Sequence, residues 1–156
     1  MKYMALPLSL LLLITSCATQ EVCDDDNQAY LFAQFRTEGD GGERDTTMVG
    51  MTIYGIREGR PDSLLYDSTS MSKAQLPLDP NNDITSFVFS NAVEQDTLVL
   101  THSSEIYLIS YDCGFASRFS LVEYTASGNW LKEIVLRYGE IDATLETDEE
   151  HLRIYF

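Results

Sequence analysis

The chain has 156 residues, of which 25 are Asp or Glu and 10 are Lys or Arg, so its formal charge is −15 at pH 7. A balance this acidic excludes nucleic acid and anionic lipid headgroups as partners for the body of the protein. With 44% hydrophobic residues and the length of one ordinary domain, the chain can bury a real core.

Lys2 gives a short positive start, and residues 5–14 form an apolar run. The run is about ten residues long, where a transmembrane helix needs roughly 20, so it reads as the apolar part of a secretory signal. Ile14, Thr15, Ser16 and Cys17 follow in the branched, small, small, cysteine order of a bacterial lipobox. The expectation is that residues 1–16 are a lipoprotein signal peptide and that Cys17 carries the acyl chains, palmitate among them. Two or more chains hold a protein stably on a membrane without crossing it. Residues 18–27 are polar and acidic and read as a tether, leaving residues 28–156 as a single folded domain.

From Gln28 onward the pattern is β. Leu31, Ala33 and Phe35 alternate with Phe32, Gln34 and Arg36, the period of a strand. Residues 37–45 hold three glycines and read as a loop. Residues 46–56 read as a strand interrupted by Gly50 and Gly55, as at a bulge. Short strands are predicted at residues 63–66 and 73–78, a turn at 79–83 through Asp79, Pro80, Asn81, Asn82 and Asp83, and a strand at 86–89. Residues 97–101, 106–111, 118–124 and 130–141 are dense in β-branched and aromatic residues, with two-residue spacing in Leu98 and Leu100 or Tyr107, Ile109 and Tyr111. A turn at 147–150 precedes an alternating apolar end, Leu152, Ile154 and Phe156. The fold expected is all-β, an antiparallel β-sandwich of immunoglobulin-like type with about eight to ten short strands, and a β-barrel is the alternative.

Chemical motifs are few. There is no nucleophile elbow, no zinc-protease helix motif and no glycine-rich phosphate loop. His102 and His151 fall on or beside predicted strand ends, outside any ligand spacing. Asp24, Asp25 and Asp26, and separately Asp79, Asn81 and Asp83, supply oxygens of the kind calcium takes. Neither run has a full ligand set, so they read as tether and turn, and no metal or cofactor is expected. Trp130, among nine tyrosines and seven phenylalanines, is the candidate for an exposed ligand platform; the ordinary alternative is core. With Cys17 lipidated, Cys23 and Cys113 remain. Export favours a disulfide between them, closing a loop of about 90 residues, against the alternative of two free thiols.

Leu76 to Phe89, Asp96 to Leu100, Glu105 to Ser110 and the run Asp112, Cys113, Gly114, Phe115 together resemble a family of small uncharacterised lipoproteins of Bacteroidetes, a domain of unknown function. The resemblance implies an envelope location and a β-sandwich, and a cysteine similar to Cys23 ahead of the first strand; it implies no activity, ligand or catalytic residue. In such lipoproteins an acidic stretch after the lipidated cysteine resembles a surface-export signal, and Glu21 with Asp24, Asp25 and Asp26 falls in that window. The function expected is a non-enzymatic, lipid-anchored module of the envelope, on the outer membrane facing the periplasm or the outside, which contacts another envelope protein. A glycan or small-ligand module is the alternative, and a hydrolase the third reading.

Overall fold

The computed structural model describes residues 27–57, 60–143 and 150–156, and within them the chain is all-β. Eleven strands make two sheets. β1 (Tyr30–Gly39) is the centre of the smaller sheet. Along one edge it pairs antiparallel with β5 (Lys73–Pro77) through Tyr30 to Gln34, and with β2 (Gly42–Asp45) through Arg36 to Gly39. Along the other it lies parallel to the last strand, β11 (Leu152–Tyr155), which pairs with β9 (Glu133–Leu136). The larger sheet runs in the order β10 (Glu140–Ile141), β8 (Gly114–Ala126), β7 (Gln95–Ser110), β6 (Ile84–Ser90), β3 (Met48–Arg57), β4 (Arg60–Met71). The sheets stay open and face each other, so the protein is a sandwich and not a barrel.

The core is what strand alternation dictates. Leu31, Ala33 and Phe35 from β1, Leu76 from β5, and Leu152 and Ile154 from β11 meet Ile53, Phe87, Phe89, Leu98 and Leu100 from the larger sheet, all of them buried. Phe35 spans the layers, edge-on to Phe89 at 6.2 Å and to Phe156 at 6.5 Å, and Phe156 in turn meets Trp130 at 6.1 Å. Such offset or edge-on pairs add about 1 kcal/mol each beyond the area they bury.

Four readings of the sequence change. Residues 37–45 are a hairpin, not a loop: β1 runs on to Gly39, and Gly42 takes φ +92 in the turn, which glycine adopts without strain. Residues 97–101 and 106–111 belong to one 16-residue strand, β7; the polar stretch between them still pairs with β8, with a bulge opposite Thr101 and His102. Residues 63–66 are the middle of the longer β4. Residues 130–141 are not a single strand, because β9 lies in one sheet and β10 in the other. The chain changes sheets at Arg137, Tyr138 and Gly139: Arg137 N donates to His151 O at 2.8 Å and Leu121 N donates to Gly139 O at 2.8 Å. β9 is Glu133, Ile134, Val135 and Leu136 and β10 is only Glu140 and Ile141, both β-prone, so the sequence does not reveal the change of partner. The irregularity expected at residues 46–56 is real, since β3 and β4 slip register at four places and Gly50 has φ +67. The turn expected at 147–150 lies largely outside the described residues.

Candidate functional site

β7 and β8 form the longest hairpin in the protein, and its far end is the most unusual surface among the described residues. Leu98, Leu100 and His102 of β7 point into the sandwich. The bulge lies on β8, so Ser104, Ile106 and Leu108 keep the same face as those core residues. Phe119, opposite Ser104, is still buried. Beyond it the same face opens to solvent: Ile106 is 70% exposed, Leu108 45%, and Phe115, opposite Leu108, 67%. Tyr111, in the turn, is 98% exposed. Residues 106–117 carry one charge, Asp112, in a chain that is otherwise strongly acidic.

Cys113 sits in the turn of this hairpin. It is disulfide-bonded, its N–H donates to Ser110 Oγ at 3.0 Å, and Gly114 after it takes φ +77. Asn27 Nδ2 donates to the Cys113 carbonyl at 2.5 Å, so the described chain begins against the hairpin end. Cys17 and Cys23, and the calcium candidates Asp24, Asp25 and Asp26, lie outside the described residues.

The remaining candidates serve the fold. Trp130 is 7% exposed and packs in the core against Phe156, so it is not a platform on an open face. It follows the crossing from β8 and is drawn inward with Leu131. The carboxylate that draws them is Asp96, which the sequence did not single out. Asp96 is buried, and it accepts bonds from Asn129 N at 2.9 Å, Trp130 N at 2.7 Å, Leu131 N at 2.8 Å and the Ser127 hydroxyl. Burial pushes its pKa up, but the donors from Leu131, Ser127, Asn129 and Trp130 outweigh it and hold the carboxyl at about 2. No spacing in the sequence reports this bond set, because the donors are three backbone N–H groups and one hydroxyl more than 30 residues away.

His102 is mid-strand and buried, not at a strand end. Its Nε2 lies 2.8 Å from Thr85 Oγ1 and its ring meets Phe119 edge-on. Burial lowers its pKa against the pull of Asp83 and Asp79. His151 is buried just before β11; its Nδ1 accepts the Phe32 N–H at 2.9 Å, while its own N–H donates to Phe32 O at 3.0 Å. That acceptor role fixes the neutral ring, and burial holds its pKa at about 4 despite the Glu140 carbonyl. Asp79 caps its own turn, accepting from Asn81 N at 2.9 Å and Asn82 Nδ2 at 2.8 Å. The Asn81 and Asn82 donors therefore occupy the carboxylate that a calcium ion would need, and among the described residues no three His, Cys, Asp or Glu side chains gather as a metal site.

Two further features complete the surface. On the smaller sheet Arg36 bridges Glu150 at 2.7 Å and Asp45 at 3.1 Å, and Arg153 bridges Glu150 at 2.7 Å. Burial raises the Glu150 pKa, but the Arg153 and Arg36 bonds prevail and keep it below the usual range. An open depression of about 260 Å³ is lined by Gln28, Tyr30, Leu65, Tyr66, Gln75 and Pro77, smaller than most ligand pockets.

A family model of unknown function, DUF6452, matches residues 50–156. No curated protein and no solved structure matches the chain.

Proposed function

The chain belongs to the family of unknown function DUF6452, and from that premise we propose that it is a lipid-anchored envelope protein whose sandwich is a non-enzymatic contact module. The observation that carries the proposal is the run Ile14, Thr15, Ser16, Cys17 behind a short apolar segment. The structure supports the second half: the buried titratable groups Asp96, His102 and His151 are engaged in holding strands and crossings together, while apolar side chains are left on the surface. On this reading residues 1–16 are removed, Cys17 bears the lipid, and the module works on the outer membrane of a Bacteroidetes cell beside a partner protein. Cys113 is bonded to Cys23, which fastens the tether to the β7–β8 hairpin.

Metabolic labelling with palmitate tests the anchor, with label expected in the wild type and lost in Cys17→Ala. Label retained in Cys17→Ala overturns it. Crosslinking in intact envelopes followed by pulldown tests the contact role, and recovery of the protein without any crosslinked envelope protein counts against it. A second reading, a small-ligand or glycan module, is favoured by one feature only, the depression between Tyr30 and Tyr66.

A further inference from the structure

We propose that the far end of the β7–β8 hairpin docks into the lipid surface to which Cys17 is anchored, with Ile106, Leu108, Tyr111 and Phe115 entering the interfacial layer. The inference rests on the lipid-anchor reading above and adds to it an orientation and a second point of membrane contact.

Three observations select lipid as the occupant of this apolar end. The first is reach. Asn27 is hydrogen-bonded to the carbonyl of Cys113 in the hairpin turn, and it follows Cys17 by ten positions. At about 3.5 Å per residue the turn stands no more than about 35 Å from the anchor. Bonded to Cys23, six positions after Cys17, the disulfide of Cys113 shortens that reach to about 20 Å. The second is composition. The exposed apolar side chains at the end are two aliphatic and two aromatic residues, and tyrosine and phenylalanine on a sparsely charged tip suit the boundary between headgroups and acyl chains. The third is charge. The body of the protein is strongly acidic, whereas residues 106–117 have Asp112 as their one charge and the neighbouring Asp142 is paired with Arg118, so this end meets less repulsion at a bilayer than the body would.

The core face of β7 thus runs past the end of the sandwich and becomes a membrane face. One strand carries Leu98 and Leu100 into the protein and Ile106 and Leu108 towards the lipid. At about 3.3 Å per residue, β7 sets its two ends roughly 50 Å apart. Val93, 88% exposed in the turn before β7, therefore lies far from the membrane.

The test uses the acylated full chain in vesicles of phosphatidylcholine, with and without acyl chains brominated as a fluorescence quencher. Trp130 is buried and gives a constant background, so single reporters are added as Phe115→Trp and Val93→Trp. The expected result for Phe115→Trp is a blue-shifted emission, several-fold stronger quenching by brominated lipid than in Val93→Trp, and several-fold weaker quenching by aqueous iodide. Equal access of iodide to both reporters on vesicle-bound, palmitate-labelled protein overturns the docking and leaves the anchor standing. A blue shift without quenching by brominated lipid, accompanied by a crosslinked dimer, assigns the tip to a second copy and also overturns it. Protein that takes up no palmitate and washes off the vesicles overturns both readings.

Discussion

Replacing Asp96 with Asn keeps the shape of the side chain but removes the charge, and it turns one of two oxygens, each of which accepts at least one backbone N–H, into a donor facing that group. A buried group left with unmatched donors costs on the order of 3 kcal/mol, so Asp96→Asn should lower the urea midpoint sharply, and urea melts followed by circular dichroism check this. His151 sets a different prediction. Its ring titrates near 6.5 when unfolded and about 4 when folded. Above pH 6.5 the neutral ring's contribution is fully present; as the pH falls from 6.5 to 4 the unfolded chain takes up a proton that the native state refuses. Up to about 3 kcal/mol is lost across that window. Melts at stepped pH should show the loss, and His151→Gln should flatten it. Asp96 contributes its own loss lower, between 3.8 and about 2, so the two are separable. At this scale the sequence was least legible. Both histidines are visible in it as residues, but their burial and their partners Thr85 and Phe32 come from other strands, in the second case 119 residues away.

Among the elements, β11 supplies Leu152 and Ile154, both fully buried, and closes the smaller sheet against β1. Leu152→Ala should cost about 3 kcal/mol in a thermal or urea melt, and deletion of residues 152–156 should leave no cooperative transition. Strand positions were read well wherever one face is core and the other polar, as at Leu98 and Leu100 or Leu152 and Ile154, because alternation is then a direct record of burial. They were read poorly where the chain changes sheets or carries polar residues through a paired stretch. Residues 102–105, His-Ser-Ser-Glu, look like a break in sequence yet remain paired, since backbone hydrogen bonds to β8 do not depend on the side chains. Trp130 misleads for a related reason: its size suits a platform, while the bonds that turn it inward belong to Asp96.

For the molecule as a whole, the disulfide of Cys113 is a long-range constraint. If Cys23 and Cys113 are joined, reduction or Cys23→Ser should each lower stability by about 4 kcal/mol on the chain-entropy account. Peptide mapping under non-reducing conditions should recover the linked pair, and free thiol at Cys23 would contradict it. The sandwich architecture was legible as a whole, because the spacing of apolar residues and turns repeats along the chain. The uncovered end of the hairpin was not, because Ile106 and Leu108 look in sequence like any other inward pair, and only the length of β7 relative to its neighbours leaves them outside.

The parallel contact between β1 and β11 also governs when the fold can form. Leu152, Arg153, Ile154 and Tyr155 pair with Ala33, Gln34, Phe35 and Arg36, so the centre of the smaller sheet is complete only when β1 and β11 have met. Until then β1 has an open edge and the core lacks its floor. Topologies closed by such distant pairings fold slowly, on the order of milliseconds to seconds, and stopped-flow refolding should place this domain there. Ala33 and Leu152 are far apart in the chain, so the loop they close carries a large entropic cost before its contacts repay it. The rate at which β1 finds β11 therefore sets the pace for the whole smaller sheet.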